Sequence, residues 1–143
     1  MNRIQELLDK YQTLGECVIL NINWLHYGTT IELVFDYVWD DDGKIRTDLE
    51  QEDRITLRFR LVQEFHLKNA LNSSMVLEPQ EMNWGINEIA RIKLVENDNM
   101  LRPYASLPKE FHHIAILWER GDQRRIDIVF SEFDIIRHGI KNM

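Results

Sequence analysis

Arg54-Ile55-Thr56-Leu57-Arg58-Phe59-Arg60-Leu61 alternates without a break, with Ile55, Leu57, Phe59 and Leu61 apolar and the residues between them polar. Side chains leave an extended strand on opposite faces in turn. A period of two therefore predicts a strand with one face in a core and one in water. Such one-sided strands belong to antiparallel sheets, because parallel sheets are covered on both faces and read as continuous apolar runs.

The same pattern spreads in both directions. In 30–39, Ile31, Leu33, Phe35, Tyr37 and Trp39 share a face, and in 17–27 a regular strand puts Val18, Leu20, Ile22 and Trp24 together. Alternation returns in 89–95, 114–118 and 126–130. Gly28 divides the first two strands, Asp42-Gly43 is a favoured hairpin dipeptide, and Gly121-Asp122 joins 113–120 to 124–130 as a hairpin. The chain opens on a helix. Asn2 can cap it, Ile4, Leu7, Leu8, Tyr11 and Leu14 make its apolar stripe, and Gly15 is placed to end it. Helical turns are also expected at 79–90 and near 131–137. A parallel βαβ fold needs helices between its strands, and the pattern supplies none. The expected class is α+β: an N-terminal helix packed on a mainly antiparallel β-sheet, or a small β-sandwich with one helix.

At 143 residues, 44% hydrophobic and 29% charged, the chain has the composition of one folded domain, 1–143. No repeat or Pro/Gly-rich linker divides it. One cysteine, Cys17, rules out an internal disulfide and a cysteine zinc cage. A net charge of −7 argues against a nucleic-acid partner, which calls for clustered cations. The longest apolar runs, such as 17–20 and 114–118, fall far short of the ~20 residues of a membrane helix, so no membrane partner is expected. Arg3, Glu6, Asp9 and Lys10 interrupt the first fourteen residues, unlike a signal peptide, and a cytoplasmic location is the expectation.

The charge is unevenly placed. Residues 1–53 hold 12 acidic and 4 basic side chains, net −8, whereas residues 54–143 hold 12 acidic and 13 basic, net +1. Eight carboxylates fall in 36–53, against Lys44 and Arg46. A charge run between strands is most often a solvated loop that also discourages edge-to-edge pairing. It can also be a partner site, because its field reaches about a Debye length, ~8 Å at physiological salt, and steers a basic partner. Calcium is a poor fit. A twelve-residue calcium loop needs glycine sixth and glutamate twelfth, and counted from Asp40 those positions are Ile45 and Gln51.

Catalytic patterns are missing. The five histidines (His26, His66, His112, His113, His138) include no i, i+4 pair, and adjacent His112 and His113 point to opposite faces of a strand. Cys17 reads as a buried, inert thiol. No serine sits in a Gly-x-Ser-x-Gly elbow, and no glycine-rich phosphate loop occurs, so no cofactor and no metal is implied. Asp36 and Asp127 lie within apolar strands. Asp127 faces away from Ile126 and Ile128 and is expected to pair across strands with Arg58 or Arg60. The arginines at 54, 58 and 60 lack the interleaved aromatics of a single-strand nucleic-acid surface. Trp24, Trp39 and Trp118 belong to apolar rows, while Trp84, in a polar stretch, covers a sheet end or anchors a partner.

A helix before a meandering sheet, with the run Arg54-Ile55-Thr56-Leu57-Arg58-Phe59-Arg60-Leu61-Val62, then Phe65 and Leu67, and an acidic stretch before it, resembles immunity proteins of bacterial toxin systems. The resemblance lies in the strand pattern over much of the chain. It implies a non-enzymatic protein that docks on a basic toxin domain. Asp40, Asp41, Asp42, Asp48, Glu50, Glu52 and Asp53 would steer and pair with its Lys and Arg residues. The competing class is a small-ligand binder or enzyme with a pocket between sheet and helix, lined by Tyr27, Phe35, Tyr37, Trp39 and Trp118. A third is a homo-oligomer built through an edge strand.

Overall fold

Among the described residues, helix α1 (Arg3–Lys10) is followed by eight strands: β1 (Val18–Leu25), β2 (Thr30–Asp36), β3 (Asp53–Arg60), β4 (Glu64–Lys68), β5 (Arg91–Val95), β6 (His112–Leu117), β7 (Arg125–Phe130) and β8 (Glu132–Gly139). Short 3-10 segments lie at His26–Gly28 and Asn99–Tyr104. The computed structural model describes residues 3–10, 18–36, 53–68, 91–95, 99–117 and 125–139.

The alternating stretch becomes β3 and pairs antiparallel with β2 on one side and β8 on the other. Ile55, Leu57 and Phe59 meet Phe35, Leu33 and Ile31 across the first ladder, and all six are fully buried. Every described strand pair is antiparallel. The strands form two four-stranded sheets rather than one, ordered β1-β2-β3-β8 and β4-β7-β6-β5. Both contribute to one core cluster. Ile31, Leu33, Phe35, Ile55, Leu57 and Phe59 come from the first sheet, and Ile114, Ile116, Ile126, Ile128 and Phe130 from the second. Ile4 and Leu8 of α1 belong to the same cluster.

The sheets are joined at a corner that two strands turn together. β3 runs into β4 through residues 61–63, and β7 runs into β8 through Ser131. Arg60 pairs with Glu132, and Glu64 pairs with Val129. Leu61, Val62 and Gln63 therefore stand against Phe130 and Ser131, three residues against two, which is a β-bulge. Leu61 absorbs the bend at φ +54°, in the left-handed region. Backbone bonds hold the bend: Ser131 N–H to Arg60 O (3.2 Å), Gln63 N–H to Val129 O (2.8 Å) and Val62 N–H to Thr29 O (2.9 Å). Inside it, the Phe59 ring meets Phe130 edge-on at 4.9 Å and Phe133 at 5.1 Å.

The two sheets are topologically equivalent. Read from its other edge, the second is β5-β6-β7-β4, the order of the first with each strand advanced by four places. Each half of the chain builds three strands of its own sheet and sends its fourth into the other.

Two sequence expectations change. The hydrophobic row of β1 is broken, because the register slips between Ile19 and Asn21. Ile19 becomes buried at 8% exposure, while Leu20 turns outward at 48%. A one-residue insertion reverses the facing of everything beyond it. Residues 132–139, expected to begin as helical turns, form β8, because Phe133 and Ile135 complete the inner row opposite Phe59 and Leu57. The 79–90 turns, Asn2, Tyr11, Leu14, Gly15 and both expected hairpin dipeptides lie outside the described residues. Gly28 does separate β1 from β2, at φ +88°, after His26 and Tyr27 at +52° and +60°.

The slipped register has a direct test. Ile19→Ala should cost about 2–3 kcal/mol in urea unfolding, as a buried aliphatic truncation does, and Leu20→Ala less than ~1 kcal/mol. Strict alternation from Val18 to Trp24 requires the opposite order.

Candidate functional site

The acidic stretch is bounded in sequence by two well-buried strands. It joins β2, which ends at Asp36, to β3, which starts at Asp53, and Asp36 stands opposite Arg54 in the ladder. Asp40, Asp41, Asp42, Asp48, Glu50 and Glu52 lie outside the described residues. The backbone of Asp53 pairs with Gly139. Cys17, Tyr37, Trp39, Trp84 and Trp118 also lie outside the description.

Two arginines of β3 are paired within their own sheet. Arg58 Nε donates to Glu32 Oε2 at 2.6 Å, and Arg60 lies 3.4 Å from Asp134. Asp127 therefore pairs with neither Arg58 nor Arg60. It sits in the second sheet, where Arg125 donates to both of its oxygens (2.7 and 2.6 Å) and His113 Nε2 donates to Oδ1 at 2.6 Å. Asp127 is one strand over from His113, and both are buried beside fully buried Ala115 and Val129. This face of the second sheet is thus covered as well as the inner one, which the in–out reading of 126–130 did not anticipate. Burial pushes the Asp127 carboxyl up, but the hydrogen bonds and charges of Arg125 and His113 more than offset that and hold it below its ordinary range.

A second polar chain lies nearby. Tyr104, from the 3-10 helix, donates to Glu64 Oε2 at 2.6 Å, and His66 Nε2 is 2.8 Å from Oε1. The Tyr104 bond, then the His66 bond, holds Glu64 below the usual carboxylate range and pushes the Tyr104 phenol up. His112 and His113 do face opposite ways: the His112 ring lies 5.9 Å from that of Phe130, away from Asp127. Among the described residues, no group of three metal-ligating side chains comes together.

The aromatic pocket imagined from sequence does not form from its described members. Phe35 is sealed in the core, and Tyr27 is fully exposed on its turn. A cleft does open elsewhere, with a volume of about 500 Å³, between the first turn of α1 and the corner. Arg3 and Ile4 line one side, and Arg60, Ser131 and residues 132–134 line another, with Glu110 and His112 at the mouth of β6. Ser131 Oγ donates to the Glu110 carbonyl at 2.9 Å. Burial lowers the His112 pKa, so its ring carries less charge near neutrality than an ordinary histidine. Sequence reading missed this site because its parts come from four places in the chain, brought together only by the corner.

No protein family and no curated protein matches the chain. Among solved structures, it is similar to an uncharacterized protein from Neisseria gonorrhoeae, with a TM-score of 0.50 and 14% identity over 85% of this chain and 90% of that one. At that identity the likeness concerns the fold alone. Among the described residues, no helix is long and apolar enough to cross a membrane.

The buried node makes stability depend on acid in a defined direction. Asp127 and Glu64 titrate below their unfolded values, so their stabilisation is complete above about pH 4–5 and drains as pH falls below it. Asp127→Asn should cost about 2 kcal/mol at pH 7, and its deficit should narrow between roughly pH 4 and pH 2, followed by thermal melts across pH. A deficit independent of pH would show that the Asp127 charge is not what the node uses.

Proposed function

We propose that the chain is a non-enzymatic, cytoplasmic protein-binding module that meets a basic protein partner through the carboxylates of 40–53, as an immunity protein docks on a basic toxin domain. One observation carries this reading. The whole excess of negative charge lies in residues 1–53, and eight of the twelve acidic side chains there fall in 36–53, from the end of β2 to the start of β3. Those strands place six fully buried side chains in the core, so the connection starts and ends on rigid supports. A localised anionic field on a fixed base raises the encounter rate with a cationic surface and orients it. The basic side chains of β3 support the same division of labour. Arg58 and Arg60 are engaged with Glu32 and Asp134, so these two arginines have acids of their own within the first sheet.

In this mode, Asp40, Asp41, Asp42, Asp48, Glu50, Glu52 and Asp53 act by steering and by pairing with Lys or Arg, and no bond is made or broken. A basic nuclease domain is a suitable partner, because a site built for phosphate is itself cationic. The test is binding of the intact chain to a basic nuclease domain, measured by stopped-flow at low salt. Replacing the seven carboxylates by Asn and Gln should slow association at least about tenfold and flatten its salt dependence. Unchanged association, or no binding by the unaltered chain, would refute the reading.

A further inference from the structure

The corner cleft carries an inference that goes beyond partner binding and does not depend on the acidic connection. Its charges sort into pairs and remainders. Arg60 is matched by Asp134 at 3.4 Å, and Glu132 by Lys109 at 3.7 Å. Two lining side chains of opposite sign are left over: among the described residues, neither Arg3 nor Glu110 has an ion-pair partner. They come from different elements, Arg3 from the first turn of α1 and Glu110 from the approach to β6. The same lining includes apolar Ile4 and Phe133, both less than 9% exposed.

We propose that this cleft binds a small zwitterion, an apolar α-amino acid or dipeptide, with its carboxylate on Arg3, its ammonium on Glu110 and its side chain against Ile4 and Phe133. Arg3 offers the planar fork that matches a carboxylate. Glu110 offers an anionic acceptor whose backbone is pinned, since its carbonyl takes the Ser131 hydroxyl. A volume of about 500 Å³ is ample for either ligand. An anion alone would leave Glu110 with only the electrostatic influence of the nearby His112 ring, and a cation alone would leave Arg3 without an ion pair, whereas a ligand bearing both charges answers both. The two remaining cations near the cleft, Arg60 and Lys109, are already engaged and set no competing site.

The probes are L-leucine and leucyl-leucine, with N-acetyl and C-terminal amide forms of each, titrated into the full chain and followed by amide NMR shifts. At least one free zwitterion should bind with shifts centred on residues 3–4, 110–112 and 131–134. Blocking either end should weaken it about tenfold. Arg3→Gln should abolish the preference for a free carboxylate and spare that for a free ammonium, and Glu110→Gln should do the reverse. Both positions are exposed, and unchanged melting of each variant confirms that the fold is intact. No binding of either zwitterion at millimolar concentration would overturn the proposal. Affinities indifferent to blocking, or variants that weaken free and blocked ligands alike, would overturn it as well.

Discussion

The contact on which the molecule depends is the edge-on meeting of Phe59 and Phe130, with Phe133 against both. Phe59 ends the inner row of one sheet, and Phe130 ends that of the other. Aromatic rings in this arrangement bury large apolar areas and add about 0.5–1.5 kcal/mol beyond area alone. Here they do so where two strands must bend together. Leu61 takes a backbone conformation that costs a non-glycine residue about 1–2 kcal/mol. The bend persists because the rings inside it and the three backbone bonds across it over-determine the geometry.

From that corner the rest follows in layers. The two sheets face one apolar cluster, so alternation marks the inner row of β2 and β3, although Thr30 and Thr56 of the polar row are buried as well. It fails in β7, where five consecutive residues, Ile126 to Phe130, are buried. A carboxylate in such a strand must be answered in place. Asp127 is answered twice, by Arg125 along its own strand and by His113 across the ladder. Replacing a hydrated carboxylate by an unpaired buried one would be prohibitive, so this node is a condition for covering the second face. The acidic connection is the reverse case. Its charges fall, in sequence, between the end of β2 and the start of β3.

Much of this could be read from the residues. The period of β3 predicted its inner row of Ile55, Leu57 and Phe59 and its antiparallel setting, whereas Leu61, read into the same row, turns outward at the corner, and the acids that meet Arg58 and Arg60, Glu32 and Asp134, were not named by it. Gly28 marked the first turn, and the opposed directions of His112 and His113 followed from adjacency. Other features left no local trace. Leu20 looks like a core residue until the register slips, and a slip is decided by pairing with β2, not by β1 itself. The stretch around Phe133, Ile135 and Ile136 has no clean period, so only the long-range ladder with β3 makes it a strand. Asp127 was oriented correctly but given the wrong partners, because sheet membership is not written in a strand. The cleft was invisible for the same reason: Arg3, Glu110 and Ser131 are neighbours only after the corner has formed.

The exchange of fourth strands shapes how such a chain reaches its folded state. β3 must find β8 some eighty positions later, and β4 must find β7, before either sheet is complete. Loop closure over that length is entropically expensive and precedes its reward, so acquisition of structure is slow and concerted. A nascent chain ending after β4 holds a three-stranded meander whose apolar face has nothing to lie against. On the ribosome, the first half therefore has to remain soluble until the second is made, and the strong negative charge near its beginning is well placed to keep it so.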